Sequence, residues 1–213
     1  MNEILSDDEQ LEALKKWWKE NGNSLIFGLA VAIAVVVGYR SWTSYQQRQA
    51  EAASAEYEVV AKQLKENGLT EGTSRRTEEL METYPGSIQT VFAGLNLAKA
   101  QVEEGKLTEA EAQIEAVLKS LDDDALKPLV ILRLAQVELG LNKYDEALKN
   151  LNITVPEAYR ALFSELKADV YSAKGDTAKA VELYRDALKQ SEEGSRNNQI
   201  IELKLNALGE TAS

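Results

Sequence analysis

Residues 95–118 read LNLAKAQVEEGKLTEAEAQIEAVL, residues 132–151 read LRLAQVELGLNKYDEALKNL, and residues 166–188 read LKADVYSAKGDTAKAVELYRDAL. The three stretches share one plan. A small residue precedes the turn (Ala98, Ala135, Ala168) and another follows it (Ala110, Ala147, Ala180), and both series step by 37 and then 33 residues. Ile114, Leu151 and Tyr184 keep the same register on the second half of each stretch. Where two antiparallel helices cross, a small side chain on each lets the backbones close, while larger neighbours fill the gap to the next pair. These alanines are therefore assigned to helix crossings and not to ligand contacts.

A period near 34 residues is that of the tetratricopeptide repeat. Elsewhere beyond residue 43, apolar residues recur at helical spacing, and the junctions are Asn67-Gly68, Pro85-Gly86, Gly105, Asn142, Pro156, Gly175 and Gly194. The spacing predicts helices near 44–66, 73–84, 87–104, 108–120, 125–140, 144–153, 156–174, 177–191 and 196–208, with no alternating strand. The units diverge from the usual pattern. Gly94 and Ser164 replace a bulky residue early in the unit, Lys167 sits where Leu is usual, and Asn142 takes the place of the turn glycine. Residues 44–84 supply a degenerate first unit, and the helix with Ile200, Ile201, Leu203, Leu205 and Leu208 caps the far end. The first helix of each pair lines the inner surface of such a solenoid. That places Phe92, Leu95, Lys99, Val102, Leu129, Leu132, Gln136, Leu139, Leu162, Glu165 and Asp169 in a candidate protein-binding groove, unless the terminal helices cover it.

Working back from the repeats, Asn21 to Tyr39 carries no charge, and its nineteen residues rise about 28 Å as a helix, enough for the hydrocarbon core of a bilayer. Trp17 and Trp18 with Lys15, Lys16 and Lys19 stand before it, and Arg40, Trp42 and Tyr45 after it. Amphipathic residues of these kinds are enriched at the two membrane interfaces. A cleaved signal peptide would show small residues after the apolar run, which the aromatic and basic exit does not. The fold class is thus all-α: a single N-terminal transmembrane helix followed by a tetratricopeptide-like helical-repeat solenoid. The segments are 1–20 cytoplasmic, 21–42 transmembrane and 43–213 periplasmic. Three lysines before the span against Arg40 and Arg48 after it set this orientation by the positive-inside bias. Within the span, Ala30, Ala34 and Gly38 lie on one face, with Gly28 and Ala32 on a neighbouring strip. Small residues so spaced form a candidate contact face for another membrane helix, although Ala and Gly are common in such spans anyway. Ahead of the span, Ser6 and Glu9 form a capping-box pattern before Leu11, Leu14 and Trp18, which predicts a short amphipathic helix at the membrane surface. Its acidic start is either a solvated helix end or a docking point for a cytoplasmic regulator.

The composition narrows the chemistry. With 24 Lys and Arg against 35 Asp and Glu, the formal charge is −11, so nucleic acid is not an expected partner. The absence of cysteine and histidine removes thiol nucleophiles, imidazole bases and the usual soft metal ligands. Asp122, Asp123 and Asp124 lack further carboxylates at calcium-loop spacing and are assigned to a helix start before Ala125. No catalytic, cofactor or metal site is expected, and the chain is not expected to be an enzyme.

Taken together, KKWWKENG before the span, GYRSWTSYQQ after it and the three degenerate repeats resemble the ancillary SecYEG translocon subunit family, the YfgM type. The resemblance covers nearly the whole chain. It implies a type II inner-membrane protein whose periplasmic domain associates with the SecYEG channel and with the membrane-anchored periplasmic chaperone PpiD, assisting the hand-over of exported chains. It also implies an alternative, in which the cytoplasmic end restrains a stress-response regulator.

Overall fold

A computed structural model describes residues 7–121, 123–191 and 196–210. Ser6, Asp122 and Gly194 lie outside the described residues, and with them the expected N-terminal capping box, part of the acidic cluster and one expected junction. The chain divides into two compact units, one up to Glu51 and the second from Ala52.

Helix α1 runs without a break from Asp7 to Asn67. The short surface helix expected before the span and the separate helix expected from 44 are therefore one element with the apolar segment. The reason is local: no proline occurs before Pro85, so nothing interrupts the i to i−4 ladder. Hydropathy changes along α1, but a change of solvent preference is not a break in the backbone. In the first unit the apolar side chains are exposed, Phe27 at 72% and Val35 at 65%, and the helix is long and apolar enough to cross a membrane. Its last turns belong to the second unit, where Ala53 and Val60 are buried. The helix stops at Gly68, whose φ of +67° suits glycine.

The second unit continues with α2 (Glu71–Thr83), α3 (Ile88–Glu103), α4 (Leu107–Ser120), α5 (Lys127–Gly140), α6 (Tyr144–Leu151), α7 (Glu157–Lys174), α8 (Thr177–Gln190) and α9 (Arg196–Ala207). These follow the helical spacing in the sequence closely. Capping explains several starts: Thr70 forms a capping box with Thr73 at α2, and Ser87 and Asp176 accept from the backbone N–H of Thr90 and Lys179. One start differs. Helix α5 begins at Lys127 and not before Ala125, because Asp123 closes a turn by accepting from the Ala125 N–H and from the Leu126 N–H.

Each repeat turns with the same hydrogen bonds. Lys106 N–H donates to Gln101 O, Lys143 N–H to Glu138 O, and Asp176 N–H to Tyr171 O, the six-to-one bond of a helix C-terminus. The residue between is left-handed in all three, and Asn142 adopts φ +60° where its counterparts are glycine. Asparagine is among the few side chains that tolerate this region.

All six repeat alanines are at most 2% exposed. Around them lie three apolar clusters. Val91, Ile114, Val117 and Leu134 join α3, α4 and α5; Ile131, Leu151, Phe163 and Leu166 join α5, α6 and α7; Val181, Tyr184, Ile201 and Leu205 join α8 and α9. Gly94, a departure from the repeat pattern, marks a closer approach than alanine permits: a Cβ there would collide with Val117 Cγ2. Ser164, the equivalent departure in the third repeat, uses its hydroxyl to donate to Asp186 at 2.9 Å. A fourth cluster of Val60, Leu80 and Ala93 joins the end of α1 to α2 and α3, completing the degenerate first unit. Asn96 donates to the Tyr57 hydroxyl and Gln89 to the Ser54 hydroxyl across the same contact.

Candidate protein-binding groove

The inner-face residues meet four different fates. Between α3 and α5 the structure brings Phe92, Leu95, Lys99, Val102, Leu129 and Gln136 together around an open groove of about 620 Å³. Phe92 and Val102 are each 38% exposed there. Asn96, Leu107, Ile114, Arg133 and Gly140 also line it. Arg133 was legible: it stands four residues after Leu129 and three before Gln136, hence on the same face. Leu107 and Ile114 come from α4 and carry no such signal.

Between α5 and α7 the inner-face leucines pack inward. Leu132 is buried in the second cluster and Leu139 packs against it, so these two are core residues. Leu162 is 40% exposed and stands apart from the groove.

In the third repeat the inner face is taken by α9. Lys204 Nζ donates to Glu165 and Asp169 at 2.8 Å each, while Ile201 and Leu205 of the same helix are fully buried. Burial alone would lower the Lys204 pKa, but its hydrogen bonds to Asp169 and Glu165 outweigh this and hold it above the ordinary lysine value. Tyr184 donates to Asp169, and burial together with that bond raises the phenol pKa. Glu165 and Asp169 are thus occupied from within the chain.

A second polar cluster joins α4, α5 and α6. Lys143 Nζ bridges both oxygens of Glu111, at 2.8 and 2.6 Å. Nearby Glu138 is 3% exposed, accepts from Asn150 through one oxygen at 2.7 Å, and has no partner for the other among the described residues. Burial pushes its carboxyl above the usual range; the Asn150 bond opposes this, and the charges of Glu111, Glu115 and Glu146 add to it.

In α1, the small residues Gly28, Ala30, Ala32, Ala34 and Gly38 are all exposed. A Cβ at Gly28 or Gly38 would meet nothing within 4 Å.

The family model described as tetratricopeptide repeat-like domain matches residues 15–210. The ancillary SecYEG translocon subunit of Neisseria gonorrhoeae is 30% identical over 208 residues, covering 96% of this chain and 98% of its own length. The chain belongs to the ancillary SecYEG translocon subunit family. Members from Haemophilus influenzae and Escherichia coli are each 29% identical, over 96% and 95% of this chain and 98% and 97% of theirs. The match to this family takes in the apolar part of α1 as well as the repeats.

Proposed function

We propose that the chain is a membrane-anchored, protein-binding adaptor of the SecYEG translocon, working beside a membrane-anchored periplasmic chaperone of the PpiD type in the hand-over of exported proteins. The observation that carries this reading is the nearly end-to-end relationship to proteins named ancillary SecYEG translocon subunit. The exposed apolar stretch of α1 and the open groove between α3 and α5 support it. The anchor raises the effective concentration of the repeats near membrane-bound partners, so modest contacts suffice. The lysines before the span favour a type II topology, with a cytoplasmic N-terminus and periplasmic repeats.

Two measurements test this. Purification from mild detergent through a C-terminal tag recovers SecYEG and the chaperone; recovery of neither sinks the adaptor reading. A reporter active only in the periplasm, fused after residue 213, gives signal, whereas activity of a cytoplasm-specific reporter at that position reverses the topology and removes the periplasmic chaperone. The regulatory alternative predicts that deleting residues 2–15 alone reproduces the phenotype of losing the whole protein.

A further inference from the structure

The repeat register aligns Leu95, Leu132 and Glu165, and likewise Lys99, Gln136 and Asp169, at steps of 37 and 33 residues. Along this register the three repeats differ. At α7 and α9, Glu165 and Asp169 receive Lys204. At α5 and α7, the leucine side is packed into the core. At α3 and α5 the register positions are Leu95 and Lys99, and the following helix adds another cation, Arg133.

Here the register carries cations that point to no acid within the groove. None of the residues lining this groove is acidic, in a chain with 35 acids among 213 residues. Arg133 bonds to Gln136 on its own helix and makes no ion pair among the described residues. Among the described residues Lys99 forms one loose, solvent-exposed pair, with Glu103 at 3.7 Å. Two like charges, Lys99 on α3 and Arg133 on α5, line an apolar groove together with Leu107 and Ile114 of α4, and a carboxylate placed there is attracted to both. The α9 helix shows how this chain fills such a place. One short stretch supplies two apolar side chains, Ile201 and Leu205, and a charge, Lys204, opposite in sign to the wall it meets.

We propose that the groove between α3 and α5 takes an apolar, carboxylate-bearing segment of a partner protein and selects it by that charge. This rests on the adaptor reading and narrows it to a class of segment. The apolar side chains seat against Phe92, Leu95, Val102 and Leu129, and the carboxylate meets Lys99 and Arg133.

The test uses the full chain in nanodiscs of neutral lipid, with fluorescence anisotropy of labelled peptides of about fifteen residues, some four helical turns. Their apolar core is the same and their charged positions are Glu in one and Lys in the other. The Glu peptide binds on the order of tenfold tighter at low ionic strength, and the gap narrows as salt is added. The double reversal Lys99→Glu with Arg133→Glu inverts the order, an outcome that also shows the variant to be folded. Phe92→Ser weakens both peptides. Equal binding of the two peptides, or an order untouched by the reversal, overturns the proposal. So does capture of dodecanoate with neither peptide bound, which would make the groove a lipid site. If SecYEG co-purifies with the wild-type chain while the peptides fail, only this proposal falls; if SecYEG is also lost, the adaptor reading falls with it.

Discussion

At Gly94 the backbones of α3 and α4 approach so closely that a methyl group would run into Val117 Cγ2. Overpacking of this kind costs about 1–3 kcal/mol. Gly94→Ala should lower the urea midpoint accordingly, and adding Val117→Ala should restore part of the loss, so that the pair costs less than the sum of the single changes. Strict additivity would place the strain elsewhere. Glu138 makes a pH-dependent contribution. Its carboxyl is raised in the folded chain, first by burial and then by Glu111, Glu115 and Glu146, so the folded state binds this proton more tightly than the unfolded one. The stabilisation is full below the ordinary glutamate value and is lost as pH rises through the raised one. Glu138→Gln keeps the Asn150 acceptor and removes the charge. Melting temperatures measured between pH 4 and 8 should show the variant gaining on the wild type as pH rises. Parallel curves would mean that the neighbouring acids already relax around the charge.

The elements show where spacing suffices and where it does not. Helix α9 is held by the burial of Ile201 and Leu205 and by one lysine serving two acids. Lys204→Ala leaves Glu165 and Asp169, 13% and 24% exposed, facing each other without a cation, which costs about 2 kcal/mol for partly buried groups. Hydrogen exchange across residues 196–207 should then accelerate by more than about tenfold, with α3 and α4 unaffected. Unchanged exchange would assign the docking of α9 to its apolar side chains alone. Helix α1 teaches the converse point. The change from charged to apolar at Asn21 and back at Arg40 is plain in the sequence, yet neither marks a helix end, because a change of hydropathy leaves the i to i−4 ladder intact and no proline interrupts it.

For the whole molecule, the exposed apolar stretch of α1 is long and apolar enough to cross a membrane, and whether it holds the protein there is open to a direct test. Leu29→Lys with Ile33→Lys puts two charges near the middle of the uncharged segment. Each costs about 2.5–3.5 kcal/mol at the centre of a membrane helix. The wild-type chain should stay in the membrane pellet after alkaline carbonate washing and the double variant should appear in the supernatant. Retention of the variant would mean that the repeats, and not α1, hold the protein at the membrane.

The sequence by itself determined the features that are local or periodic: the repeat alanines, the turn at Asn142, the uncharged segment and the helix spans of the repeats. Each depends on residues within a turn or two, or on a spacing that recurs, and is legible without knowing which distant segments meet. The groove was only half legible, because helical spacing names the inner face without saying which stretches stay open. The tertiary structure decided that, by packing Leu132 into the core, by bringing Lys204 across to Glu165 and Asp169, and by leaving Lys99 and Arg133 with no acid between them. These outcomes depend on side chains far apart in sequence, and they turn on charge and volume at the point of contact, which no periodicity records.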